Sequence, residues 1–405
     1  MTKNDDKRVP VLRFKGFNDD WAQRKLKDLT DVRDGTHSSP KYVEAGHPFI
    51  TSKNINNGSI DYRDIKYITD EDFDEINKRS KVDIHDILMG MIGTVGNLAL
   101  IDKKPNFAIK NIALIKDIGK IDYLFLYNFL QSNYVSKELI QKLDGGTQKF
   151  ISLNKVRDLN ISVASFQEQK AISKCLMRVN NLLILQQRKE KLLKQIQQAI
   201  YYNIYPEYGT KIPIIRHREF NKDWSIVSFN KLYKKSKEKN DLTYGEDKII
   251  SVAKMYFKHE SQNSSKDYLK TYNVFKKGDI AFEGNRSEGF SHGRFVQNNI
   301  GDGIVSHVFD VFTPLNKENL NYWKYAIHNE HIMKYVLVKS TTKATMMNNL
   351  STKDFLKQKI AVPNSCEMKK ISHLLKGLDD QLEFSKRKIK ILTKVKQFLL
   401  QNMFI

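Results

Sequence analysis

The chain has 405 residues, 68 Lys and Arg against 46 Asp and Glu, and a formal net charge of +22. A polyanionic partner makes such self-repulsion tolerable, and nucleic acid is the first candidate. The two cysteines, Cys175 and Cys366, stand apart with no CxxC, which excludes a disulfide scaffold or a zinc ribbon and suits a reducing cytoplasm.

In chain order, the opening "MTKNDDKRVP" is polar and lacks the apolar core of a secretory leader. Its first eight or so residues are the only stretch that reads as disordered. "VPVLRFKGFNDDWAQRKLKDL" (Val9–Leu29) aligns without gaps to "IPIIRHREFNKDWSIVSFNKL" (Ile212–Leu232), so that Trp21 matches Trp224 at an offset of 203. Downstream, "HPFITSKNI" (His47–Ile55) and "NIALIK" (Asn111–Lys116) are rich in β-branched and aromatic residues and predict short strands. "YLFLYNFL" (Tyr123–Leu130) is apolar but falls short of the roughly 20 residues that span a bilayer.

From Glu168, "EQKAISKCLMRVNNLLILQQRKEKLL" carries Ile172, Leu176, Val179 and Leu183 at near-heptad steps, with Leu193 and Ile200 in the same register. Gln186 interrupts this stripe. A helix of about 34 residues would be ~50 Å long and needs a partner for its stripe. Pro206, Gly209 and Pro213 then mark a linker.

The second half repeats this plan. "DKIISVAKMYF" (Asp247–Phe257) and "HVFDVF" (His307–Phe312) predict strands, and "GDIAF" (Gly278–Phe282) echoes "HDILM" (His85–Met89). From Glu367, "EMKKISHLLKGLDDQLEFSKRKIKIL" matches the first helix at an offset of 199. Its stripe is Ile371, Leu375, Leu378, Leu382, Ile389, Leu392 and Leu399, interrupted by Ser385. Gly377 inside it costs roughly 1 kcal/mol relative to Ala.

A period near 200 residues is too long for a solenoid and indicates a duplicated domain. The ends of the two copies are alike and their middles differ, as a shared frame with two different readers would. The expected fold is α+β, with antiparallel-leaning sheets and two long helices pairing as an antiparallel coiled coil. The expected divisions are 1–165, a first recognition domain; 166–203, the first helix; 204–219, a linker; 220–364, a second recognition domain; and 365–405, the second helix.

Catalytic signatures are missing from the sequence. There is no GxxxxGK[ST] loop, and "GMIGTVGN" (Gly90–Asn97) has the wrong spacing for a dinucleotide-binding turn. "KPNF" (Lys104–Phe107) is not an adenine methyltransferase motif. Asp61, Asp64 and Lys66 in "DYRDIK" read as a solvated charged turn rather than a nuclease metal site. His37, His85, His292 and His307 are scattered and read as polar contacts rather than ligands.

The alternation of variable region and long helix, twice over, resembles the specificity subunit of type I restriction–modification enzymes. "RDGTHSSPKYVEAGHPFITSKNI" (Arg33–Ile55) resembles an opening of that family's target-recognition domains. "DILMGMIGTVGNLAL" (Asp86–Leu100) resembles its Asp-Ile-Leu strand and Gly-rich turn. "SLNKVRDLNISVASFQEQKAI" (Ser152–Ile172) and "LSTKDFLKQKIAVPNSCEMKKI" (Leu350–Ile371) resemble its two leads into the conserved helix. The copies differ there: Ala164 and Ser165 stand where the second has Pro363, and Glu168-Gln169 where it has Glu367-Met368.

The resemblance implies a non-catalytic subunit whose two target-recognition domains each read half of a split, asymmetric site in double-stranded DNA. The helices would separate the domains and dock two methyltransferase subunits. S-adenosylmethionine and ATP with Mg would sit on partner subunits, a translocase–nuclease joining through the complex, and no cofactor or metal on this chain. Half-sites lie roughly 34 Å apart when both readers approach one face of DNA, and the helices would serve as the ruler.

Base reading needs polar side chains on positioned loops. In the first half these are Thr36, His37, Ser38, Lys53, Asn54, Thr94, Asn97, Thr147, Gln148 and Lys149. In the second they are Lys254, Tyr256, Asn285, Arg286, Ser287, His292, Arg294 and Lys343. Two alternatives remain at this level. One is a stand-alone DNA enzyme, which a methyl-transfer assay on the chain alone would reveal. The other is a coiled-coil nucleic-acid-binding scaffold unrelated to restriction, which competition between duplex DNA and structured RNA would separate.

Overall fold

The computed structural model describes residues 9–56, 58–258, 265–287, 289–343 and 347–405. The opening stretch expected to be disordered, residues 1–8, lies outside the described residues. The chain forms two units, Met1–Gln187 with Arg387–Ile405, and Arg188–Lys386.

In the first unit, Ala22–Lys25 pairs antiparallel with Asn160–Val163, so that the beginning and end of the variable region close on each other. The central sheet has the order Asp31–Asp34, Ile112–Lys116, Ile87–Gly90, Leu98–Leu100, with all neighbours antiparallel. Ile87–Gly90 is buried throughout, as is most of Ile112–Lys116. That is why both read as continuous apolar runs instead of alternating ones. A second sheet has the order Ala108–Lys110, His47–Thr51, Lys66–Ile68, Tyr42–Val43. Its Ala108–Lys110 and His47–Thr51 strands run parallel, while its other pairings are antiparallel, as the antiparallel-leaning expectation allows. The apolar run Tyr123–Leu130 is a helix, opened by the Asp122 side chain accepting from the Phe125 amide. Among the described residues no helix is long and apolar enough to cross a membrane.

The second unit repeats the closing ribbon, Ser225–Ser228 against Lys359–Val362, and the central sheet. That sheet has the order Tyr233–Lys235, Val311–Pro314, Ile280–Glu283, Arg294–Gln297. The strand expected from His307 begins only at Val311, because His307 and Val308 form a turn. The stretch Asp247–Phe257 is a hairpin rather than one strand: Ile250–Ser251 pairs with Tyr256–Phe257. Met255 takes a left-handed φ of 50° in its turn, and its amide donates to the Ser251 carbonyl at 2.8 Å.

The long helices run Phe166–Asn203 and Ser365–Asn402, 38 residues each. Both have a capped start, although their entrance sequences differ. The Glu168 amide donates to Ser165 Oγ at 3.3 Å, and the Glu367 amide to Asn364 Oδ1 at 2.9 Å. Ile172 and Leu176 are buried in the first unit, and Ile371 and Leu375 in the second.

Each core is finished by a helix end. Met403 and Phe404 pack with Trp21 and Phe125 in the first unit, and Ile204 and Tyr205 with Trp224 in the second. The residue before each apolar pair accepts a backbone bond. Leu12 donates to the Asn402 carbonyl at 2.8 Å, and Ile215 to that of Asn203 at 2.9 Å.

A buried clamp fixes each frame. Arg13 donates from Nε and Nη2 to the two carboxylate oxygens of Glu168, at 2.7 and 2.9 Å. Arg216 grips Glu367 in the same way, at 2.7 and 2.8 Å. The Trp21 and Trp224 indoles donate to these carboxylates at 3.2 and 3.1 Å. Glu168 and Glu367 are each 1% exposed, so only paired donors make their charge tolerable there.

Candidate nucleic-acid interface

In the first unit the divergent loops meet around a cleft of about 870 Å³. Lys53, Thr94 and Gln148 line it, together with Arg63, Lys66, Lys110 and Asn111, which the sequence reading had not selected. Lys53 and Gln148 are exposed, as are Thr147 and Lys149 on the same loop. The Lys149 carbonyl accepts from the Gly93 amide at 3.0 Å, which ties that loop to the Gly-rich turn.

Thr94 and Asn97 hold the turn in place. Thr94 Oγ1 donates to the Ser52 carbonyl at 2.9 Å, and Asn97 Nδ2 to the Ile55 carbonyl at 3.0 Å. Thr36 Oγ1 and Ser38 Oγ lie 2.7 Å apart. The exposed His37 ring is held on both sides, by Asp34 Oδ2 at 2.8 Å and Asn111 Oδ1 at 2.7 Å. The buried Asp34 also accepts from Arg79.

Asn54 is the exception. It is 7% exposed and all its hydrogen-bonding capacity is used inside the protein. Its Oδ1 accepts from the Thr51 amide and hydroxyl, both at 2.9 Å. Its Nδ2 donates to the carbonyls of Asp61 at 3.3 Å and Asp64 at 3.2 Å. Asn54 therefore shapes the loop and has nothing left for a base edge.

"DYRDIK" is also more organised than a solvated turn. Arg63 wraps Asp61 through Nε and Nη2 and holds its carboxyl down at about 2. Among the described residues no group of three or more His, Cys, Asp or Glu side chains is placed to hold a metal ion. His85 stacks on Tyr123, with ring centroids 4.0 Å apart.

In the second unit the connection between Ile280–Glu283 and Arg294–Gln297 is longer than the Gly-rich turn between Ile87–Gly90 and Leu98–Leu100, and its described residues are 284–287 and 289–293. Asn348 braces it. Its amide donates to the Gly284 carbonyl at 2.9 Å, its Nδ2 donates to the Ser291 carbonyl at 3.3 Å, and its Oδ1 accepts from Arg286 Nη2 at 3.3 Å. Gly293 has a φ of 81°, and a Cβ there would run into the Glu283 carbonyl, so the tight exit demands glycine.

Arg294 donates to Glu283 Oε2 at 2.7 Å, reaches the Ala253 carbonyl at 3.5 Å, and lies over the Phe290 ring. It joins this loop to the hairpin that presents Lys254 and Tyr256, both exposed. Asn285, Arg286 and Ser287 are exposed on the loop, while His292 is half-buried. Lys343 is exposed beside the Thr341–Thr342 strand and has no partner among the described residues.

The central sheets differ in one electrostatic respect. Asp86, buried at 1% exposure, accepts from Lys116 Nζ at 2.9 Å. Among the described residues its counterpart Asp279 has no cation in hydrogen-bond contact, and burial pushes its carboxyl up to about 6.

The duplicated frame and its unlike loops have a match among known families. The model of the type I restriction modification DNA specificity domain fits residues 18–195 and again residues 207–394. The chain belongs to this family. It therefore carries two copies of the specificity domain, and Trp21 and Trp224 each lie in one of them.

Among relatives of these specificity domains is the sequence assigned as the type I restriction enzyme MjaX specificity subunit of Methanocaldococcus jannaschii. It is 26% identical over 231 residues, covering 52% of this chain and 52% of the relative. The MjaVIII specificity subunit of the same organism is 28% identical over 200 residues, covering 45% of this chain and 44% of the relative. The matched region thus spans about half the length of these relatives. The fold is similar to that of the type I restriction-modification system S subunit from M. genitalium. The TM-score is 0.60 at 15% identity, covering 98% of this chain and 99% of the other.

Proposed function

We propose that the chain is the DNA-recognition subunit of a type I restriction–modification complex. Each specificity domain reads one half of a split, asymmetric site in double-stranded DNA, and the chain has no catalytic role of its own. S-adenosylmethionine and ATP with Mg belong to partner subunits, and the assembly works in the cytoplasm.

The observation that carries the reading is the clamp made twice, Arg13–Glu168–Trp21 and Arg216–Glu367–Trp224, around loops that share almost nothing. A frame kept alike while its loops diverge suits one docking task performed twice on two different half-sites.

The long helices pair as an antiparallel coiled coil in this reading. Two hydrogen bonds support it: Lys396 to Asn180 at 3.2 Å within the first unit, and Gln197 to Asp379 at 2.6 Å within the second. Advancing along one helix corresponds to retreating equally along the other. The helices also dock two methyltransferase subunits, through which the translocase–nuclease joins. Leu185, Leu192 and Ile196 are exposed apolar residues on the first helix, and their counterparts Phe384, Ile391 and Val395 are exposed on the second. Equivalent apolar positions left open on both helices suit one partner surface used twice.

The test is methyl transfer from labelled S-adenosylmethionine to duplex DNA, by the chain alone and with a cognate methyltransferase subunit. Transfer only by the mixture, and only to DNA holding one split sequence, is expected. Transfer by the chain alone would overturn the reading.

A further inference from the structure

We propose that Arg63, oriented by Asp61, reads a guanine in the half-site of the first specificity domain. The inference rests on the DNA-recognition reading above and names a specificity-determining residue within it. Arg63 is 87% exposed and lies on the wall of the 870 Å³ cleft with Lys53, Lys66 and Lys110. An exposed arginine ordinarily samples many rotamers and loses that freedom on binding. This one is held. Nε donates to Asp61 Oδ1 at 2.9 Å and to Oδ2 at 3.1 Å, and Nη2 donates to Oδ2 at 2.5 Å.

The support continues inward. The Arg63 amide donates to Asp61 Oδ1 at 3.1 Å, and the Asp61 amide to the Asn54 carbonyl at 2.7 Å. Buried Asn54 in turn grips the Asp61 and Asp64 carbonyls. The carboxylate takes the Nε edge of the guanidinium. The end bearing Nη1 and the second Nη2 proton is left facing outward, and Nη1 has no partner among the described residues.

That free end is a pair of parallel N–H donors. In the major groove only guanine offers two acceptors, O6 and N7, side by side on one base. The pairing with Asp61 also argues against a phosphate anchor. Arg63 and Asp61 together carry no net charge, so the pair offers a polyanion little attraction but retains its geometry. The neighbouring Lys53, Lys66 and Lys110 supply the positive charge that phosphates need.

The test maps adenine methylation in cells carrying the assembled complex with wild type, Arg63→Lys or Asp61→Asn. Lysine keeps the charge without the fork. Asparagine keeps Arg63 but loosens its hold, and serves if the first variant folds poorly. In the wild-type motif one guanine is expected to be required. Arg63→Lys makes that single position degenerate, relaxing its discrimination roughly tenfold to a hundredfold, with every other position unchanged. Asp61→Asn relaxes the same position less. An unchanged motif in both variants overturns the proposal. So does a uniform fall in methylation with every position still specified, which marks a phosphate contact. If wild type directs no split motif, the underlying reading fails first and this proposal falls with it.

Discussion

The Trp21 indole donates to the Glu168 carboxylate at 3.2 Å, across 147 residues of sequence. The bond ties the segment before the first variable region to the helix after it, and Trp224 repeats it with Glu367. Glu168→Ala leaves the Arg13 guanidinium and the indole without their acceptor in a buried site. Unfolding of the first unit should become easier by about 3 kcal/mol, with Glu367→Ala doing the same in the second. Urea unfolding followed by tryptophan fluorescence measures both. Glu168→Gln, which keeps an acceptor but loses the charge, should fall between wild type and alanine.

Asp279 sets a pH dependence for the second unit. Burial holds its carboxyl at about 6 in the folded state, above its ordinary value of 3.8. Well below pH 3.8 both states are protonated and its contribution to stability is fully present. As pH rises toward 6 the unfolded chain ionises first and that stability is lost. Above 6 the folded unit carries a buried carboxylate at a cost of about 3 kcal/mol. Asp279→Asn should remove this slope and be the more stable protein at pH 7.5. Parallel denaturation series at pH 4.5 and 7.5 measure it; equal slopes would show that Asp279 is not the titrating group.

Much of this was legible in the sequence, and the reason is local periodicity. The stripe through Ile172 and Leu176 defines a helix, and the run at Ile112–Lys116 defines a buried strand. The matched Trp and Glu residues were visible as repeats. That they touch was not, because a contact across 147 residues leaves no local pattern. The candidate loops were recognisable by composition, but single roles within them were not. Asn54 looked like a base reader, yet it is consumed by the Thr51 and Asp61 backbone. Arg63 was passed over inside a charged turn, although an Asp two residues before it was the available signal.

The exposed apolar residues on the helices give a third prediction. Leu185, Leu192 and Ile196 changed together to Ser should lower the melting temperature by no more than about 5 °C, since each is already largely exposed. Association with the methyltransferase subunit should weaken at least about tenfold. A thermal melt followed by circular dichroism reads the first, and titration of the mixed subunits reads the second. Unchanged association would place the docking surface elsewhere.

Basic residues in the cleft should make binding depend on salt. The slope of log affinity against log salt should be steeply negative for any duplex. Lys53→Ala and Lys110→Ala should each flatten it by about one counterion without altering which sequence is preferred. A change of preferred sequence would mean that these lysines touch bases.

The most direct test of the central claim is a genome-wide map of N6-methyladenine in host cells with and without this gene. The account predicts that one split, asymmetric motif loses its methylation when the gene is removed, and that all others persist. An unchanged map in cells that express the partner methyltransferase would contradict it.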